Sequence, residues 1–203
     1  MPLSAETVRA GYARVREEVG PKVTIVVATK YVSPDDMGVL ADAGVEVVGE
    51  NRLQDLEAKH ERYGSRFRWH FIGHLQSRKA RDVSRLCDLC HSLASLSAAR
   101  RLEIPALVEV NLSGEESKSG IAPAELPAFL AEVRGLGVDV RGLMTMPPLA
   151  DDAEASRPYF RSLRELATEH GLTELSMGTS QDYRVAAEEG ATFVRVGSLL
   201  YGR

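Results

Sequence analysis

The sequence runs to 203 residues, 44% of them hydrophobic and 27% charged, a profile that fits one globular domain with a sizeable core and excludes a disordered or fibrous chain. Its 25 Lys and Arg stand against 29 Asp and Glu, a net charge of -4, and the basic residues are scattered among acidic ones, so no nucleic-acid partner is expected. No apolar run approaches the roughly 18 residues of a membrane helix, which makes a membrane an unexpected partner and the cytoplasm the expected location.

The opening segment MPLSAETVRAGYARVREEVG reads as an amphipathic helix, not as a signal peptide. From there, short apolar runs alternate with helical patterns to the end. VTIVVAT leads into PDDMGVLADAG, VEVVGE into NRLQDLEAKHERYG, RWHFIG into QSRKARDVSRL, and CDLCHSL into LSAARRL. PALVEVNL leads into PAELPAFLAEVRGLG, VDVRGLMTM into DDAEASRPYFRSLRELATEHG, ELSMG into QDYRVAAEEG, and FVRVG closes the series. Runs rich in Val and Ile suit parallel strands covered on both faces by helices. Gly44, Gly64, Gly137, Gly171 and Gly190 stand where helices should end. The alternation predicts an α/β fold, a closed (β/α)8 TIM barrel in a single domain over 1–203, compact beside the usual size of about 250 residues. A doubly wound open sheet would need a switch point, and no G-x-G-x-x-G follows the first strand. The segment PPLADDAEASRP looks the most flexible.

Active sites of β/α barrels lie at the carboxyl ends of the strands, with phosphate commonly held after strands seven and eight. In IVVATKYVSP, Lys30 ends the first strand at that face. On this stretch alone a snorkelling surface lysine is the simpler reading; in a low-dielectric site the same amine would attack aldehydes. GTSQD (Gly178 to Asp182) and GSLLYG (Gly197 to Gly202) each offer glycine, a hydroxyl and backbone N–H groups suited to phosphate. Alternation places Phe193, Arg195 and Gly197 on one face and Val194 and Val196 on the other. With the valines toward the helices, Arg195 points inward, where it needs either an inward carboxylate such as Glu109 or an aromatic nitrogen. An amine, a phosphate cradle and an inward arginine together suggest pyridoxal 5'-phosphate, an aldehyde and a phosphate carried on a nitrogen heterocycle.

Other motifs read more plainly. Cys87 and Cys90 lack the helix terminus of a redox pair and the four ligands of a structural zinc site, and read as half-buried core cysteines. His70 and His74 fall in a strand and turn, where i, i+4 spacing does not join two imidazoles, so packing or loop hydrogen bonding is expected. His60, His91 and His170 are isolated. GEESKSG lacks the order of a P-loop and reads as a polar loop.

The segment WHFIGHLQSRK resembles the hallmark of the pyridoxal phosphate homeostasis protein family, single-domain barrels similar to the amino-terminal domain of alanine racemase. ATK at Lys30, GEN at Gly49 to Asn51, VNLSGEESKSG, RGLMTM, SMGTSQD and RVGSLLYG resemble that family's blocks in their order, over nearly the whole chain. The resemblance implies that Lys30 forms the internal Schiff base, that Arg195 faces the pyridine nitrogen, that Ser180, Gly197 and Ser198 hold the phosphate, and that Asn51 lies near the ring. Thr179 and Gln181 depart from the family pattern, while Ser180 is kept.

A permanently charged arginine leaves the pyridine nitrogen unprotonated and weakens the ring as an electron sink. Racemisation needs an acid or base on each face of the substrate carbon. Lys30 serves one face, and the second domain that supplies a tyrosine in alanine racemase is expected to be missing after Arg203. Tyr31 and Tyr201 are the substitutes at hand, but alternation should turn Tyr31 away from Lys30. The expectation is a monomeric carrier that sequesters the cofactor and delivers it to apo-enzymes, without robust catalysis and with no metal; the alternative is an amino-acid racemase of low activity.

Overall fold

The computed structural model describes residues 3–115 and 118–201. Eight parallel strands pair in chain order and close when the last returns to the first. They are β1 (Thr24–Ala28), β2 (Val47–Glu50), β3 (Arg68–Phe71), β4 (Leu89–Leu93), β5 (Ala106–Glu109), β6 (Val140–Met144), β7 (Glu174–Thr179) and β8 (Phe193–Val196). Helix α1 (Ala5–Val19) precedes β1. Between strands run α2 (Met37–Asp42), α3 (Leu53–Tyr63), α4 (Ala80–Leu86), α5 (Leu96–Ala99), α6 (Leu126–Gly135), α7 (Arg157–Glu169) and α8 (Tyr183–Glu188). The expected barrel is therefore the observed one, and the open sheet is excluded by closure.

Strand alternation sorts side chains into two cores. Ile25, Val27, Val48, Val108, Val194 and Val196 join the apolar layer shared with Leu40, Leu56, Val83, Leu130 and Leu163 of the helices. Leu89, Leu107 and Met144 form a separate cluster on which Phe193 packs, and this fills the barrel interior as the fold requires. In α1, Ser4 caps the first turn by accepting from the Thr7 N–H at 3.2 Å, and Val8, Val15 and Val19 share the buried face.

Several sequence expectations are refined. Gly44, Gly137, Gly171 and Gly190 adopt positive φ at helix ends, but Gly64 does not. It still caps α3, which ends at Tyr63, but its φ of -49° is helical and a Cβ there would meet the His60 ring at 2.8 Å, so it ends the helix by making space and not by a left-handed turn. LSAARRL yields only the four-residue α5. In the loop thought most flexible, Ala153–Ser156 forms a 3-10 turn, anchored where Ser156 Oγ donates to Asp182 Oδ2 at 2.8 Å. The cysteines are buried and free: Cys90 lies in β4 and Cys87 just before it, and burial pushes the Cys90 thiol up to about 11 and Cys87 higher still, which leaves neither as a thiolate. Met1, Pro2, Gly202, Arg203 and the Glu116–Ser117 part of GEESKSG lie outside the described residues.

A buried ion pair braces the ends of β1 and β2 from outside the barrel. Glu50 ends β2 and Lys59 lies on α3, and they are 0% and 2% exposed. Lys59 Nζ donates to a Glu50 carboxylate oxygen and, at 2.8 Å, to the Thr29 carbonyl. Thr29 Oγ1 donates to the same carboxylate at 2.6 Å, and the Asn51 N–H donates to its other oxygen at 3.2 Å. Thr29 and Glu50 directly precede Lys30 and Asn51, so this one carboxylate joins the backbone at two positions that line one cavity. Removing one partner leaves the other charged in a dry site, which costs about 3–5 kcal/mol. Lys59→Met is therefore expected to lower the urea-unfolding free energy by that amount, with the Glu50→Gln/Lys59→Met double variant losing less than the single one.

Candidate functional site

At the carboxyl end of the strands lies a cavity of about 670 Å³, and its lining includes all six residues singled out from the sequence: Lys30, Asn51, Ser180, Arg195, Gly197 and Ser198. Tyr31, His74, Glu109, Ser119 and Met146 complete much of its wall. Ladder pairing brings the relevant strands together. Val26 of β1 pairs in register with Arg195 of β8, and Val27 with Val196, so the chain exits β1 beside the exit of β8.

Lys30 departs from two expectations. The ladder of β1 ends at Ala28, and the Val32 N–H closes a turn onto the Thr29 carbonyl at 2.8 Å. Strand alternation does not extend through a turn. Lys30 and Tyr31 consequently both reach the cavity, with Lys30 Nζ 4.7 Å from the Tyr31 ring centroid. Lys30 is also exposed, so the barrel does not itself supply the water-excluded surroundings expected of this amine. Tyr201, the other tyrosine considered, donates its hydroxyl to the Ala28 carbonyl at 2.8 Å.

Arg195 is buried, 6% exposed, and points inward as alternation predicts. Among the described residues it forms no ion pair, and in particular none with Glu109. Its acceptors are neutral: Ser176 Oγ, the Thr145 carbonyl at 3.1 Å and Met146 Sδ at 2.8 Å. Burial pulls the guanidinium down to about 10, still charged at neutral pH. Glu109 lines the same cavity and accepts from Ser119 Oγ at 2.7 Å. Burial raises its carboxyl, while the Ser119 hydrogen bond and the charge of Arg195 pull the other way.

The loops after β7 and β8 meet. The Gly197 N–H donates to Ser180 Oγ at 3.2 Å, and Asp182 steadies the first loop by accepting from the Thr179 N–H and hydroxyl at 2.6 and 3.1 Å. A Cβ at Gly197 would lie 3.0 Å from the Ala28 carbonyl oxygen, so a side chain here would press on the exit of β1. Gly73 is tighter still: its Cβ would stand 2.1 Å from the Asn51 carbonyl oxygen, and the close approach of the two loops depends on its absence. Asn51 Oδ1 is buried with no hydrogen-bond partner, an orphaned acceptor at the cavity wall.

These features fit the group named from the sequence: an amine at the rim, a buried cation with no ion-pair partner among the described residues, hydroxyls and an N–H at the joined loops, and an unsatisfied amide. The donor set does not suggest a metal; no group of three or more His, Cys, Asp or Glu among the described residues is arranged to hold one. No helix among them is long and apolar enough to cross a membrane.

Sequence reasoning missed the histidine inside the barrel. His91, read as isolated, is fully buried and hydrogen-bonds both to Ser176 Oγ at 2.7 Å and to His70 Nδ1 at 2.9 Å. A signal existed: in CDLCHSL, His91 shares the parity of the inward Leu89. His74 lies exposed at the cavity, and His60 packs on Trp69 with ring centroids 5.5 Å apart.

The family model described as the alanine racemase N-terminal domain matches residues 3–203. The pyridoxal phosphate homeostasis protein of Aquifex aeolicus is 41% identical over 192 residues, 86% of this chain and 84% of the relative. That of Deinococcus radiodurans is 37% identical over 211 residues, 98% of this chain and 100% of its own. The chain belongs to the pyridoxal phosphate homeostasis protein family. Among solved structures, PipY of Synechococcus elongatus with pyridoxal phosphate bound superposes with a TM-score of 0.87 at 33% identity, over 96% of this chain and 100% of PipY. The resemblance read from WHFIGHLQSRK and its companion blocks is thus upheld, and so is the alanine-racemase-like barrel.

For this family member the buried histidines set an acid limit on stability. Burial holds His70 at about 4 against an ordinary 6.5, so the unfolded chain takes up a proton first as the pH falls. The stability is full above pH 6.5 and is lost as the pH drops through about 4, by about 3 kcal/mol. His91, depressed for the same reason, adds to the loss. Glu109, raised by burial, opposes it, because its contribution is present at low pH and fades above 4.5. The urea midpoint is expected to fall between pH 6.5 and 4, and His70→Gln to flatten that profile.

Proposed function

We propose that this protein binds pyridoxal 5'-phosphate and serves its homeostasis in the cytoplasm, holding the cofactor covalently through Lys30 and passing it to apo-enzymes, without robust catalysis of its own. The observation that carries the reading is the meeting of Lys30, Asn51, Ser180, Arg195, Gly197 and Ser198 on one cavity whose buried guanidinium has no carboxylate partner. The names of the homeostasis-protein relatives and the cofactor in PipY support it.

The bound cofactor supplies an aldehyde that condenses with an amine and a pyridine ring that can draw electrons from the carbon next to it. The residues of this chain divide the task of holding it. Lys30 Nζ provides the amine. Ser180 Oγ, the Gly197 N–H and the Ser198 hydroxyl face the phosphate, and Asn51 offers its amide to the ring side. Arg195 donates toward the pyridine nitrogen. A group that is charged throughout the neutral range cannot give that nitrogen a proton, so the ring stays a weak electron sink, which favours a carrier over a racemase. An exposed Lys30 would also suit release, since solvent and other amines have access to the rim where it would hold the cofactor.

Three results are expected from protein incubated with the cofactor. It acquires a visible band, and borohydride reduction followed by peptide mass mapping finds the adduct on Lys30; Lys30→Ala abolishes both. Arg195→Ala raises the dissociation constant roughly ten- to a hundred-fold, the size of a lost charge-assisted hydrogen bond, and moves the band. Single-enantiomer amino acids are inverted no faster than by free pyridoxal phosphate. An adduct on another side chain would remove Lys30 from its role, and faster inversion would make the protein a racemase.

A further inference from the structure

Beneath the cavity runs a line of polar groups that holding a cofactor does not itself explain. Arg195 Nη1 donates to Ser176 Oγ. Ser176 Oγ stands 2.7 Å from His91 Nδ1, and His91 Nε2 stands 2.9 Å from His70 Nδ1. The four side chains come from β8, β7, β4 and β3 and cross the interior; all are buried. Apolar groups enclose them. Phe193 sets its ring edge-on to both imidazoles, with centroids 5.8 and 5.1 Å away, and packs on Leu89, Leu107 and Met144.

Hydrogen-bond capacity allows one arrangement of protons that gives each contact in this line a donor and an acceptor and leaves no Ser176 hydrogen unmatched. A guanidinium only donates, so Ser176 accepts from Arg195. The Ser176 hydrogen then needs an acceptor, which His91 Nδ1 provides. His91 therefore carries its proton on Nε2 and donates it to His70 Nδ1, and His70 in turn keeps its proton on Nε2. The reverse order would make Ser176 accept twice and leave its hydroxyl hydrogen unmatched in a dry interior, where polar groups are almost always paired. Burial keeps both rings neutral at pH 7, with His70 held at about 4 and His91 also well below its ordinary value.

The relay also accounts for a pair that does not form. Glu109 lines the same cavity as Arg195, yet no ion pair joins them. Thr145 and Met146 occupy Nη2, and Ser176 anchors Nη1.

We propose that Ser176 and His91, backed by His70, are positioning residues for Arg195: a one-way hydrogen-bond relay fixes the guanidinium, keeps it from collapsing onto Glu109, and sets the donor face it turns to a heterocyclic nitrogen in the cavity. The ligand part rests on the function proposed above, and the relay itself does not.

Two measurements test this. In protein without cofactor at pH 7, nitrogen NMR of the histidine rings is expected to find the proton on Nε2 of both His91 and His70; a proton on His91 Nδ1, or an imidazolium, overturns the relay whether or not any cofactor binds. In protein loaded with pyridoxal 5'-phosphate, Ser176→Ala and His91→Leu are expected to raise the dissociation constant about tenfold and shift the visible band, while His91→Asn, whose amide oxygen can accept where Nδ1 did, stays closer to the parent. Carboxyl carbon NMR of Ser176→Ala is expected to show Glu109 titrating lower as Arg195 turns to it. Lower thermal midpoints with an unchanged band, dissociation constant and Glu109 titration would mean that the relay only packs the core, and would overturn the proposal. A parent protein that takes up no cofactor would instead defeat the functional reading, leaving the ring-proton measurement to decide the relay.

Discussion

A guanidinium enclosed in a closed barrel and ion-paired to no carboxylate among the described residues sets the terms for everything around Arg195. Taking such a charge out of water costs several kcal/mol unless hydrogen bonds and an opposite charge offset it. Here Ser176, Thr145 and Met146 accept the hydrogen bonds, while Glu109 and Asp182 act only through space and form no ion pair with it. A cavity with that electrostatic bias favours an anionic ligand carrying an acceptor nitrogen, which is why the fit to a phosphorylated pyridine is chemical as well as geometric.

Three cations near the strand ends are treated in three ways, and the contrast separates structure from function. Lys59 is buried and fully answered by Glu50, and its ammonium serves only to tie together the backbone before Lys30 and Asn51. Arg195 is buried and answered by neutral acceptors alone. Lys30 is exposed at the rim, beside the Tyr31 ring. The first braces the wall from outside, the second presents a fixed donor from within, and the third remains reachable from solvent. That gradient from sealed to open is what the proposed reversible holding of an aldehyde would require.

The brace and the relay have the same logic on opposite sides of the barrel wall. Each is a short series of buried polar groups in which each member fixes the next, and low dielectric makes such series rigid when complete and costly when broken. Glycine makes the approach feasible: at Gly73 no side chain fits against the Asn51 backbone, and at Gly197 one would press on the Ala28 carbonyl, so the exits of β1, β2 and β8 converge on one cavity.

Much of this was legible in the sequence. The strand-helix rhythm gave the barrel, because buried parallel strands must be apolar on both faces, and alternation in FVRVG turned Arg195 inward and both valines outward. What was misread involved turns and partners. Alternation fails for Tyr31 because the strand stops at Ala28, and Glu109, a fair partner for Arg195 on the sequence, gives way to three neutral acceptors. His91 was passed over because one histidine in an apolar run has no visible partner.

Local pattern and covalent chemistry were thus settled by the amino-acid order alone: which segments form strands, which side chains face the axis, and which amine and hydroxyls sit at strand ends. Only closure of the barrel decided who meets whom. Ser176 and His91 stand 85 positions apart along the chain, and His91 and His70 a further 21, and nothing in a linear pattern specifies a contact across the axis; it exists because parallel strands, tilted and closed on themselves, bring distant inward side chains to the same level.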